Sequence, residues 1–238
     1  LARMGARVVI VGRNAARTER ALADVRRASG NDDVHAMLAD LSAQGEVRRL
    51  ANEFLQRRDA LHVLVNNAGA IFTERTTTAD GIERTFATNH LNYFLLTRLL
   101  LDRLMESAPA RIVNVSSRAH ERSAIAFDDL QAERSYTPMR VYGQSKLANV
   151  LFTYELARQL EGSGVTANCL HPGVVRTGFG KNNNDRYGRL FAAAVRAAGL
   201  FFASPEKGAE TSIYLASSPD VDGVTGRYFA RCRATPSN

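Results

Sequence analysis

Apolar runs that do not alternate set the tightest limit on what this chain can become. RVVIVG (7–12), VHAMLA (34–39), LHVLVN (61–66), RIVNVSS (111–117) and VTANCL (165–170) are short, and each precedes a longer stretch with helical periodicity. A strand with one wet face alternates apolar and polar residues, whereas a strand covered on both faces stays apolar. With amphipathic segments at 15–28, 43–57, 81–105, 141–160 and 205–217, the pattern predicts an α/β fold, a doubly wound parallel sheet with helices on both sides. A last strand is expected near 226–230, and LARMG at the start reads as the end of a helix and a turn, with no helix-start residue before it. No polar linker divides the 238 residues, so a single domain over 1–238 is expected. GFGKNNNDRYG (178–188) reads as a mobile loop over a site.

The 31 basic and 24 acidic residues leave a formal charge of +7, which raises nucleic acid or a membrane surface as a partner. The distribution argues against both. Only Lys146, Lys181 and Lys207 are lysines, and arginine pairs such as Arg26–Arg27 and Arg48–Arg49 are interleaved with Asp and Glu, the pattern of a solvated helix face. No helix-turn-helix, zinc-ligand or aromatic RNA-binding pattern accompanies the charge. The apolar stretch 190–203 is interrupted by Arg196 and too short to span a bilayer, so no transmembrane segment is expected. Cys169 and Cys232 lack metal or redox spacing and are too few for a disulfide framework, which points to a reducing, cytoplasmic setting.

Chemistry concentrates in a few places. Tyr142 and Lys146 stand four apart on an expected helix, so phenol and ammonium share a face, where the charge would lower the phenol pKa and suit it to proton transfer. The same spacing also arises by accident. Ser116 and Ser117 end a strand at the carboxyl edge, where open α/β sheets bind ligands; capping a turn is the other use of such a pair. NNAG (66–69) ends the preceding strand with a glycine that permits close backbone approach. Asn89 lies within an apolar helix, where an amide needs either a satisfied core site or a function.

Taken together and in this order, NNAG, TNHLNYFLLT (88–97), NVSSRAH (114–120), YGQSKLANVLF (142–152) and HPGVVRT (171–177) resemble the short-chain dehydrogenase/reductase family. The likeness runs from Arg7 to about Ala230. Tyr142 follows Ser117 by 25 positions, with FDDLQAERSY (127–136) between them, and this is similar to the retinol-dehydrogenase-like branch. The resemblance implies a Rossmann-like fold and an NAD(P)-dependent enzyme that interconverts a carbonyl and an alcohol. It implies Tyr142 as general acid or base, Lys146 as the group that tunes Tyr142 and binds the nicotinamide ribose, and Ser117 as the hydrogen-bond donor to the substrate oxygen. Asn89 would hold a proton-relaying water near Lys146. Pro172 and Gly173 would shape the turn under the nicotinamide, with Val175 and Thr177 on its carboxamide. Asp40 and Leu41 would meet the adenine, and Asn66, Ala68 and Gly69 would line the adenosine side.

Arg13 follows the first strand at the place where dinucleotide folds read the ribose 2′ substituent, and an arginine there pairs with a 2′-phosphate, so NADP(H) is favoured over NAD(H). One departure stands out. The family opens with a strand and a T-G-x-x-x-G-x-G turn that holds the pyrophosphate, and neither is present; that first strand would lie between the strands at 7–12 and 61–66. The sheet is therefore expected to show a gap there or to close differently, and the chain as it stands to bind dinucleotide poorly. The departure also leaves open a scaffold of the same fold that binds no dinucleotide. Phe179, Leu190, Phe191, Leu200, Phe201 and Phe202 suit a lipophilic carbonyl or alcohol substrate or ordinary packing, and the helices at 81–105 and 141–160 suit a homo-oligomer.

Overall fold

The computed structural model describes residues 1–175 and 203–237. Seven strands form two sheets among the described residues. β1 (Val8–Gly12) pairs in parallel with β2 (Val34–Leu38), and β3 (Val63–Asn66), β4 (Ala110–Val115), β5 (Val165–Leu170), β6 (Tyr228–Ala230) and β7 (Arg233–Ala234) follow one another in the second sheet. All pairs are parallel except β6 with β7. β1 and β3 are not paired with each other, so the sheet divides at the place expected from the sequence.

Alternate residues of β4 point into two cores. Ile112 joins Leu64, Leu100, Leu104, Leu156 and Ala167 on the face covered by α2 (Gln44–Arg57), α4 (Asn92–Glu106) and α5 (Pro138–Gln159). Val113 and Val115 join Leu170, Phe229 and Leu215 of α6 (Pro205–Ser217) on the other. This is the doubly wound arrangement. The small sheet is covered by α1 (Ala15–Ser29) through Leu22 and by α2 through Leu50. Because Ala51 of α2 packs on the large sheet and Leu50 on the small one, α2 ties the two together.

Local sequence explains the ends. Asn14 caps α1 by accepting from the Arg17 amide, and Gly30 closes it in the left-handed conformation at φ 67°. The expected helix 81–105 starts later, at Arg84, because Gly81 turns at φ 75° and the buried Glu83 carboxylate caps the amides of Thr85 and Phe86. From α3 (Arg84–Phe86) the chain passes through a π turn (Ala87–Leu91) into α4 with helical junction residues throughout. α5 starts three residues before the expected position, with Pro138 in its first turn. The opening segment is a 3-10 turn, Ala2–Met4, ended by Gly5.

Two expectations need correction. β1 is not buried on both faces: none of its residues is fully buried and Val11 is 38% exposed, since among the described residues β1 has a strand neighbour on one side only. The expected last strand is followed by β7, joined through Arg231 and Cys232 with both residues at positive φ. The proposed loop at 178–188 and the apolar residues from Phe179 to Phe202 lie outside the described residues. Among the described residues, no helix is long and apolar enough to cross a membrane.

Candidate active site

The carboxyl ends of β3, β4 and β5 converge on the middle of α5. The Ser117 side chain approaches the Tyr142 phenol closely enough to act on its titration, bringing together side chains from α5 and from the residue two beyond β4. Ser117 is extended, φ −160°, and its Oγ accepts from the Ala119 amide at 3.2 Å. Ser116 is buried, and its Oγ donates to the Lys146 carbonyl at 2.8 Å, which fastens β4 to α5.

Lys146 is 3% exposed, and its Nζ donates to the Val115 carbonyl at 3.0 Å between the rings of Tyr93 and Tyr142, 5.6 and 5.8 Å from their centres. Burial pushes its pKa down to about 7. The expectation that Lys146 lowers the Tyr142 pKa is corrected: burial raises the phenol, and Ser117 draws it only partly back. The ammonium is spent on a carbonyl and weakened by its own desolvation.

Asn89 is fully buried on the π turn. Its Oδ1 accepts from the Ala70 amide at 2.8 Å, and its Nδ2 donates to the Ala70 carbonyl and to Ser145 Oγ at 2.9 and 3.0 Å. The side chain expected to hold a water is thus a clamp on the segment after NNAG. Its backbone carbonyl, the remaining oxygen, accepts from Asn149 Nδ2 at 2.8 Å. Gly69 lies above this cluster and is exposed; a Cβ there would sit 3.3 Å from Lys146 Nζ and 3.4 Å from Asn89 Oδ1. Ala68 beside it is half-buried.

Asn66 is the second correction. It is 4% exposed, and its Nδ2 donates to Thr97 Oγ1 at 3.0 Å and to Asn114 Oδ1 at 2.8 Å, so its amide faces the core instead of an adenosine. Asn114 continues to Thr153 Oγ1, and Thr153 to the Asn149 carbonyl. This buried chain of amides and hydroxyls joins β3 and β4 to α5. Ser145 and Asn149 were missed as site residues, although a signal was there: Tyr142, Ser145, Lys146, Asn149 and Thr153 follow helical spacing as one polar stripe.

Beyond β5, Pro172 is half-buried and Gly173, at φ 80°, is exposed and donates its amide to His171 Nδ1 at 3.0 Å. Val175 pairs with Ala203 and packs on Gly208 of α6 so closely that a Cβ there would lie 2.5 Å from Val175 Cγ2. Thr177 lies outside the described residues. At the end of the small sheet Arg13 Nη1 is 3.7 Å from Asp40 Oδ2, while Asp40 Oδ1 holds the amide and hydroxyl of Ser42. Burial alone would raise the Asp40 carboxyl, but the Ser42 bonds and the charges of Arg13 and Arg84 outweigh it and hold the pKa below its ordinary value. Leu41 turns inward onto the Met37, Ala39 and Leu50 cluster.

Comparison with known proteins places this arrangement. The family model described as short chain dehydrogenase matches residues 1–188. Mouse retinol dehydrogenase 14 is 47% identical, over 98% of this chain and 72% of that protein, and mouse retinol dehydrogenase 12 is 44% identical, over 98% and 72%. A Pseudomonas aeruginosa RhlG/NADP active-site complex superposes with a TM-score of 0.73 at 27% identity, over 96% of this chain and 86% of that one.

Proposed function

Since the chain belongs to the short-chain dehydrogenase family and is an oxidoreductase, we propose that it interconverts an aldehyde or ketone and the corresponding alcohol, with NADP(H) preferred to NAD(H) and Tyr142 as acid and base. The observation that carries this reading is Tyr142 brought together with Ser117 beside a buried Lys146, whose Nζ lies 5.8 Å from the centre of the Tyr142 ring. A nicotinamide dinucleotide, when bound, supplies or accepts the hydride. The residues fit its nicotinamide half. Gly69 leaves open the space over Lys146 that a Cβ would fill, and Lys146 makes one hydrogen bond among the described residues where an ammonium can make three.

In reduction, Tyr142 Oη gives its proton to the carbonyl oxygen, and in oxidation it takes the proton back from the alcohol. The raised phenol pKa keeps Tyr142 protonated at neutral pH, the state a donor needs. Ser117 Oγ accepts from the Ala119 amide, which leaves its proton to turn from the Tyr142 phenol to the substrate oxygen. Lys146, now on the Val115 carbonyl, would hold the ribose hydroxyls of a bound dinucleotide. On the small sheet, Arg13, paired only loosely with Asp40, would hold a 2′-phosphate.

Relatives that carry the name retinol dehydrogenase favour a lipophilic alcohol or aldehyde. A second copy suits the face where Phe94 is 46% exposed against the Phe152 ring and Leu151 is 49% exposed. The test is a panel of short and long aldehydes and ketones with NADPH and with NADH, followed by loss of the reduced-nicotinamide absorbance. Turnover of a lipophilic aldehyde faster with NADPH is expected. No turnover together with no dinucleotide binding overturns the reading in favour of a scaffold.

A further inference from the structure

We propose that His120 is a positioning residue for Ser117, holding it against Tyr142 and, through the Tyr228 ring, in register with the turn at Gly173. This rests on the reading that Ser117 orients the substrate oxygen. His120 lies on the 3-10 turn Arg118–Arg122 and is 1% exposed. Its Nδ1 is 2.6 Å from the Ser117 carbonyl oxygen, and since a carbonyl only accepts, Nδ1 is the donor. The His120 amide donates to the same oxygen at 3.1 Å. An ordinary 3-10 turn supplies the second bond; the first is particular to a histidine here.

The turn is in turn fixed to the helix that carries Tyr142. Ser123 Oγ donates to the Ala119 carbonyl at 2.8 Å, and Gly143 lies beneath both: a Cβ there would be 2.1 Å from Ser123 Oγ and 2.9 Å from the Ala119 oxygen. On its far side the His120 ring meets Tyr228 edge-on, centres 4.8 Å apart and planes at 62°. Tyr228 stacks on His171 at 5.9 Å, and His171 Nδ1 accepts from the Gly173 amide at 3.0 Å. Three rings thus span from the carbonyl of Ser117 to the turn expected beneath the nicotinamide.

A buried histidine that only fills space would sit as well as a phenylalanine and with less cost. His120 Nε2 and the Tyr228 hydroxyl are both buried without a hydrogen-bond partner among the described residues. An unpaired buried nitrogen is unfavourable, so the bond from Nδ1 is the one service of the ring that a phenylalanine could not give.

Asparagine and glutamine separate the two ring positions: the Asn amide nitrogen falls near Nδ1, the Gln nitrogen near Nε2. With a panel substrate, His120→Gln is expected to lower kcat about tenfold, leaving KM and the dinucleotide Kd within about twofold. His120→Asn should stay within about threefold of the parent kcat, and in a Ser117→Ala background His120→Gln should add almost nothing. A parent-like kcat in His120→Gln, an equal loss in His120→Asn, or an undiminished loss on Ser117→Ala overturns the proposal. A readout without turnover is the ultraviolet titration of Tyr142, taken as the difference from Tyr142→Phe. Losing the Ser117 bond must raise the phenol pKa in His120→Gln and not in His120→Asn, and an unmoved pKa also overturns the proposal. An inactive parent protein would count against the oxidoreductase reading alone, because this titration does not depend on it.

Discussion

In β4 and in β5, five of six residues are buried; in β1 none is. The difference follows from neighbours. β4 lies between β3 and β5 and has helices on both faces, whereas among the described residues β1 pairs with β2 alone. The catalytic candidates sit on the first kind of ground, where Asn66, Asn114, Thr153, Asn149 and Asn89 are buried and bonded in series. The residues expected to choose the cofactor sit on the second. Arg13 and Asp40 have side chains 53% and 41% exposed, and an exposed pair of this kind is worth about 0–1 kcal/mol. Among the described residues, Ser116, Lys146 and Asn89 are held by buried hydrogen bonds, whereas Arg13 and Asp40 are hydrated and free to change partners.

The largest expected effect breaks the buried side. Tyr142→Phe keeps the ring and removes the proton, so kcat should fall by roughly 10²–10⁴-fold while dinucleotide Kd stays nearly unchanged. Turnover close to that of the parent would transfer the acid role to another group, with Ser117 the first to examine. The size of the loss measures how far a pre-organised, dry site depends on one hydroxyl.

Lys146 gives the next effect, read in stability. Its folded pKa is about 7 against an ordinary 10.5, so between those values the unfolded chain binds a proton that the folded chain does not. Stability therefore rises with pH from about 7 to about 10.5, and the desolvation penalty is present in full below 7. Lys146→Met removes this dependence. The difference in unfolding free energy between variant and parent should be on the order of a few kcal/mol at pH 6, favouring the variant, and should shrink toward alkaline pH. A difference that does not change with pH would show an ammonium that stays charged in the fold.

What could be read in advance divides along the same line. Unbroken apolar runs gave the large sheet correctly because burial on two faces leaves a compositional mark, and Tyr142 with Lys146 showed because helical spacing is local. RVVIVG carries the same mark, yet β1 is half-exposed: composition reports what a strand is suited to, and strand neighbours decide whether it is met. Asn66 could not be told from a ligand-facing asparagine, since its inward turn depends on Thr97 and Asn114, each more than 30 positions away. The grip of Asn89 on the Ala70 backbone was hidden for the same reason, since the two lie 19 positions apart. β7 was missed because Arg231 and Cys232 turn the chain without the glycine or asparagine that usually signals positive φ. The depressed Lys146 pKa needs a full burial that no spacing predicts.

The smallest effect tests the exposed side. In the present arrangement Arg13 faces Asp40 at 3.7 Å, longer than a hydrogen bond, so a bound 2′-phosphate has little to displace. A charge-assisted arginine–phosphate contact contributes about 1.5–3 kcal/mol, which is roughly ten- to a hundredfold in cofactor preference. Arg13→Asp removes the contact and sets a second carboxylate beside Asp40, which raises the Asp40 pKa and repels the phosphate. NADPH selectivity over NADH should fall by about that factor, mostly through a weaker NADPH Kd, while kcat with saturating NADH changes little. Because the pair is hydrated, raising the salt concentration should narrow the gap between parent and variant, an ionic-strength dependence absent from the Tyr142→Phe loss. Unchanged selectivity in Arg13→Asp would place discrimination on another residue, and Arg84, whose charge also acts on Asp40, would be the next to substitute.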